Sequence, residues 1–261
     1  RSMENVFGNY MVAGAIGQGL GPYIVGWAGG GATVPPTRLL FLIALGLAVA
    51  SFAVILTMRP GQEPARTHEA EEFVTVGTIL RIPGLLAVIV AGIVMVSSSD
   101  IILIYVPLLG AERHIDVSQI GLLLTIRALA SMTARLSYAR LVAVFGRMPL
   151  MIGSTTACAM AFAALAVPLT FWPMAAIMVV MGMSFGLATT LSISITVDMT
   201  TASARGTANS LRIMGNRLGQ FVLPFGAGIV AAAAGLSALL LVMAAAIVTA
   251  AAAMHWQRPD S

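Results

Sequence analysis

Two ionisable side chains sit deep inside long apolar stretches of this 261-residue chain: Asp100, which follows Ser97-Ser98-Ser99, and Arg127. An ionisable group at membrane depth is costly unless it is paired or wet, which makes it a functional candidate by default. A carboxyl group there can take up and release a proton. A guanidinium can stabilise the ionised carboxylate and hold an anionic or polar molecule. Asp100 is expected about eight residues from the outer end of its segment, roughly 12 Å, and Arg127 about ten residues from the same surface, roughly 15 Å. Similar depth on adjacent antiparallel helices leaves two readings open: a cavity pair that exchanges protons, or a static ion pair that locks two helices.

Other polar residues fall into patterns. Asn209, Arg212, Asn216 and Gln220 recur at spacings of three and four, which stacks them on one helix face. In lipid that face turns inward, so Asn216 and Gln220 are expected either to line a cavity or to bond to a neighbouring helix. Arg217 is turned about 100° from Asn216, toward the cavity or the inner surface. Near the inner helix ends, Asp198 is the acid placed to bridge Arg135, Arg140, Arg147 and Arg205, as an ion-paired gate or as solvated surface charge. Thr189, Thr190, Ser192, Ser194 and Thr196 are expected to bond to carbonyls of their own helix. Gly182-x3-Gly186 and Gly17-x3-Gly21 permit close helix contact. Met178, Met181 and Met183 are read chiefly as lipid-facing filler, with an adaptable cavity as the alternative. His68, His114 and His255 fall in loops or at helix ends and form no metal constellation.

The elements that must carry these residues are membrane helices. Hydrophobic residues make up 59% of the chain and charged residues 9%, with mean hydropathy +0.96. A hydrocarbon core about 30 Å thick takes roughly 20 apolar residues per helix. Eight segments meet that length, at approximately 6–30, 38–58, 84–109, 117–137, 148–168, 172–197, 208–233 and 236–256. All fourteen basic residues are arginine, and alternation of the helices puts Arg1, Arg59, Arg66, Arg81, Arg140, Arg147, Arg205 and Arg258 on one side. Only Arg38 and Arg113 fall on the other. The excess marks the cytoplasmic side and places both ends of the chain there. The net charge of +4 therefore describes topology and is a poor argument for a nucleic-acid partner, and none is expected. Cys158, the single cysteine, excludes a disulfide framework and a cysteine metal site; it reads as a packing residue.

One phrase occurs twice: Gly17-Gln18-x3-Pro22-Tyr23-x2-Gly26 and Gly219-Gln220-x3-Pro224-Phe225-x2-Gly228, offset by 202 residues. That offset suits a half of about six helices, with the marked helix fifth in each half. Four helices are then expected ahead of Arg1 on the same full-length chain. Residues 1–58 would be the last two helices of an N-terminal bundle, 59–83 a central cytoplasmic linker, 84–256 a six-helix C-terminal bundle and 257–261 a cytoplasmic tail.

Gly17-x3-Gly21-Pro22-x2-Val25-Gly26 resembles the antiporter motif of the fifth helix in the major facilitator superfamily, with Val25 in place of one glycine. Arg140-Leu141-x-Ala143-Val144-Phe145-Gly146-Arg147 resembles that superfamily's cytoplasmic loop motif in degenerate form. Arg205-Gly206-Thr207-Ala208-Asn209-Ser210 through Gly219-Gln220 is similar to the loop into the eleventh helix of bacterial drug and metabolite exporters. The resemblance covers the chain as helices five to twelve. It implies an all-α membrane bundle and a secondary transporter, with proton-coupled efflux of a small organic molecule by antiport across a bacterial inner membrane. The charges at the inner helix ends, with the loop glycine, make Arg140, Gly146, Arg147, Asp198 and Arg205 the candidate cytoplasmic gate. No cofactor or metal is expected. Uptake by the same fold, and a non-transporting remnant or accessory subunit, are the alternatives. A membrane enzyme is disfavoured, because no Ser/His/Asp, Cys/His or His/Glu group converges near one face.

Overall fold

The structure, a computed structural model, describes residues 17, 20–28, 37–57 and 75–257. Gln18, most of the expected linker (59–74), Arg1, Arg59, Arg66, Arg258 and the tail from 258 lie outside the described residues. A helical stretch over 20–28 is followed by α1 (Thr37–Thr57), α2 (Val76–Leu80), α3 (Leu85–Glu112), α4 (Val117–Leu136), α5 (Tyr138–Phe145), α6 (Arg147–Leu165), α7 (Phe171–Asp198) and α8 (Arg205–Trp256). No strand occurs among the described residues.

Six of these helices are long and apolar enough to cross a bilayer. The last is 52 residues long, about 78 Å at 1.5 Å per residue, more than twice the hydrocarbon thickness. It breaks at Gly235, whose φ of 83° and ψ of 172° suit glycine, into two limbs that match the expected 208–233 and 236–256. The short helices α2 and α5 were not expected from hydropathy, being too brief to span.

The spanning helices are apolar on all sides because one side meets protein and the other meets lipid. On α3, Val88, Ala91, Met95, Ile102 and Val106 are buried, whereas Leu86, Val90, Ile104 and Leu108 are exposed. Lipid is as apolar as leucine, so close contact comes instead from small residues. A Cβ at Gly186 would stand 2.5 Å from the Ser131 carbonyl oxygen, and one at Gly182 would collide with the Arg127 carbonyl, so α7 lies against the backbone of α4. Gly215 and Gly219 on α8 likewise receive Ile93 and Ser97 of α3.

The resulting order differs from the chain order. The main partner of α4 is α7, that of α3 is α8, and α6 packs on both α7 and α8; α3 and α4 meet only lightly. Ser237 at the start of the second limb donates to the Ala166 carbonyl at the end of α6 (2.9 Å). No residue of α1 is buried. The hydroxyls of Thr189, Thr190 and Thr196 bond to the carbonyls of Phe185, Gly186 and Ser192, the intrahelical arrangement expected of them. Met178 and Met181 are fully buried in the bundle core; the expected lipid-facing placement fits only Met183. Cys158 is buried, as expected.

Candidate functional site

Because α3 extends to Glu112 rather than to 109, Asp100 lies about 18 Å from its C-terminal end, nearer the middle of the helix than expected. The expected contact between Asp100 and Arg127 is not formed among the described residues. Gln220, brought to α3 by the Gly215/Gly219 approach, donates Nε2–H to Asp100 Oδ2 at 2.6 Å. Arg127 instead donates from Nη1 to Ser99 Oγ at 2.9 Å, with its guanidinium carbon 5.8 Å from the centre of the Phe185 ring. The physical reason is the packing order: α8 and α7, not each other, are the principal neighbours of α3 and α4.

The polar stripe of α8 is divided. Arg212, buried, donates from Nη2 to Asn209 Oδ1 at 2.9 Å. Arg217, exposed, donates from Nη1 to Gln220 Oε1 at 3.1 Å. The Gln220 amide thus turns its oxygen to a cation and its nitrogen to a carboxylate, joining α8 to α3 through a chain of two bonds. Asn216 is half-buried and its Oδ1 is unpartnered, as are the buried hydroxyls of Ser97, Ser98 and Ser192 and the Nε of Arg127. Unpaired polar atoms at this depth are poised for water or a polar ligand. Ser99 and Phe185 were not expected as contacts at this site, and Arg217, expected to reach either the cavity or the inner surface, bonds to Gln220 of the cluster; Ser99 was signalled only by its place beside Asp100.

Residues 88–261, well over half of the chain, match the family model of the Major Facilitator Superfamily. The chain belongs to that superfamily. No curated protein matches it significantly. It is a multi-pass membrane protein and a secondary transporter, a family of transporters rather than enzymes.

At one end of the transporter's bundle, Gly146 (φ 77°) turns α5 into α6, and Arg147 at the start of α6 forms an ion pair with Asp198 at the end of α7. Arg205 donates from Nε to the Val197 carbonyl at 3.4 Å. Asp198 therefore engages one of the expected arginines: Arg140 is exposed and Arg135 half-buried, and neither is ion-paired to a described residue. At the other end, Arg113 donates from Nη2 to the Leu165 carbonyl at 2.9 Å. Burial lowers the pKa of that guanidinium, with neighbouring Glu112 opposing, and it remains a cation.

The motif of the first segment packs by a different face from the one expected. Nothing described stands within 4 Å of a Cβ at Gly17 or Gly21. Gly26 is buried instead, and a Cβ there would lie 3.0 Å from the Gly121 Cα of α4. Pro22 and Gly26 are four residues apart, one residue round the helix from Gly17 and Gly21, so the two pairs face different ways. Pro22 and Val25 line a cavity of about 530 Å³ with Leu103, Pro107, His114, Asp116 and Gly121, apart from the charged cluster around Asp100.

Proposed function

We propose that this transporter exports a small organic molecule in exchange for protons, working by alternating access between two bundles. The observation that carries the reading is Asp100, a carboxylate in the middle of α3 that accepts a hydrogen bond from Gln220 on another helix. A proton on Oδ2 would replace that acceptor with a donor facing the Gln220 amino group, so protonation and the α3–α8 contact are linked. Arg127, Asn216 and Gln220 form the proposed substrate and proton path with Asp100, and Arg127, which makes no contact ion pair with Asp100, offers an unpartnered Nε to a polar substrate.

Export is supported by the antiporter-like Gly17, Gly21, Pro22 and Gly26, of which Pro22 and Gly26 lie against α4. The Arg147–Asp198 pair, with Gly146, Arg140 and Arg205, serves as the cytoplasmic gate. Residues 1–58 contribute the end of an N-terminal bundle completed on the same full-length chain, 59–83 link it to the bundle at 84–256, and both ends of this chain face the cytoplasm of a bacterial cell.

The test is a proton flux measurement on the full-length protein in sealed vesicles of known orientation. Substrate leaving the cytoplasmic side should move protons the opposite way, and an imposed pH gradient should drive it uphill. Gradient-driven accumulation toward the cytoplasmic side would instead establish uptake.

A further inference from the structure

We infer that the carried molecule is an organic anion, received at Arg127, with Arg212 and Arg217 adding to the positive charge at depth. The inference rests on the transport reading above and names its substrate class.

Charge at depth is unbalanced. Away from the helix ends, the described spanning segments hold Arg127, Arg212 and Arg217 against Asp100 alone. Each of the three guanidinium groups is bonded to a neutral partner: Ser99 Oγ, Asn209 Oδ1 and Gln220 Oε1. The one deep carboxylate is engaged by the Gln220 amide, not by an arginine. Asp198 pairs with Arg147 at a helix end.

The three cations are spread in depth: Arg212 and Arg217 lie about 10 Å and about 18 Å into α8 from Arg205, on faces about 140° apart, and Arg127 is beside Ser99 at the level of Asp100. Arg127 is 8% exposed, yet its Nε has no partner and one of its hydrogen-bonding faces is unused. A buried cation whose hydrogen-bond partner is neutral, with the nearby Asp100 carboxylate not in contact, is stabilised further by a bound anion, and a carboxylate, sulfonate or phosphate fits the guanidinium fork through two parallel bonds. A neutral or cationic cargo would leave the excess positive charge in place.

The experiment uses the purified full-length protein in neutral detergent and in phosphatidylcholine vesicles, which contain no anionic headgroup to act as counterion. Benzoate, benzenesulfonate and phenyl phosphate are compared with benzamide and benzamidine by thermal unfolding and by flux. At least one anion should raise the unfolding midpoint, and benzamide and benzamidine should not. Affinity for that anion should fall about tenfold in Arg127→Gln and recover in part in Arg127→Lys. Arg212→Gln and Arg217→Gln give the same readout should Arg127→Gln fail to fold. The inference is overturned if none of the anions binds, if benzamidine or benzamide binds in their place, or if the affinity is unchanged in all three glutamine variants. Proton-driven transport of a neutral or cationic compound would overturn it while leaving the transport reading intact. Anion binding without flux would leave the anion site standing and count against transport.

Discussion

Replacing Gln220 by leucine removes the amide that ties α8 to α3 and leaves Asp100 Oδ2 without its 2.6 Å donor and Arg217 without its acceptor. A hydrogen bond to a charged group contributes about 1.5–3 kcal/mol in soluble proteins. Interhelical bonds in a bilayer are weaker, averaging about 0.6 and reaching about 1.7 kcal/mol, because separated helices find other partners. The short, charge-assisted bond puts Gln220→Leu near the upper part of that range, with a cost of about 2 kcal/mol once the unpaired carboxylate is included. Asp100→Leu alone strands the amide and should cost less. The double variant faces two apolar groups across the same interface and should cost less than the sum of the two single variants by a coupling of about 1 kcal/mol, or about fivefold in the unfolding equilibrium. Reversible unfolding in mixed detergent micelles measures all four corners of the cycle. Costs that simply add, with coupling below about 0.3 kcal/mol, would refute the bond as a link between the helices.

Gly186→Ala should cost about 1–3 kcal/mol and loosen the α4–α7 contact, since the added methyl meets the Ser131 backbone carbonyl rather than a side chain able to move; thermal unfolding and Phe185-to-Arg127 distance changes by spectroscopic labels check it. Asp198→Asn should leave stability within about 1 kcal/mol, because both partners of its ion pair are 45% exposed, while altering flux; a large loss of stability with normal flux would contradict the gate. Gly235→Ala should cost about 1–3 kcal/mol from the backbone conformation alone, because no described atom crowds a Cβ there; a silent variant in thermal unfolding would show that the break between limbs does not depend on glycine.

The spans of α1, α3, α4, α6, α7 and both limbs of α8 were legible in the sequence because lipid imposes one length and one composition on each. The hydroxyl bonds of Thr189, Thr190 and Thr196 were legible for the same reason: they are local, closed within one turn. Partnership across the bundle was not. Asp100 and Gln220 are 120 residues apart, and nothing in a periodicity states that α8 rather than α4 stands beside α3. Depth alone suggested Arg127 as the partner of Asp100, and depth is blind to rotation about the helix axis. The same blindness explains Gly26: the glycine pair at 17 and 21 was visible as a pattern, but the face that packs is one residue round. Met178 and Met181 were misplaced because an apolar side chain reads alike whether it meets lipid or a buried neighbour.

The central claim is that Asp100 couples substrate movement to protons, and Asp100→Asn in reconstituted full-length protein addresses it most directly. The variant keeps a side chain of the same shape that can still accept from Gln220, and it cannot exchange a proton. Exchange of labelled for unlabelled substrate across the membrane should persist, while accumulation driven by a pH gradient should be lost. Undiminished gradient-driven accumulation would contradict the account.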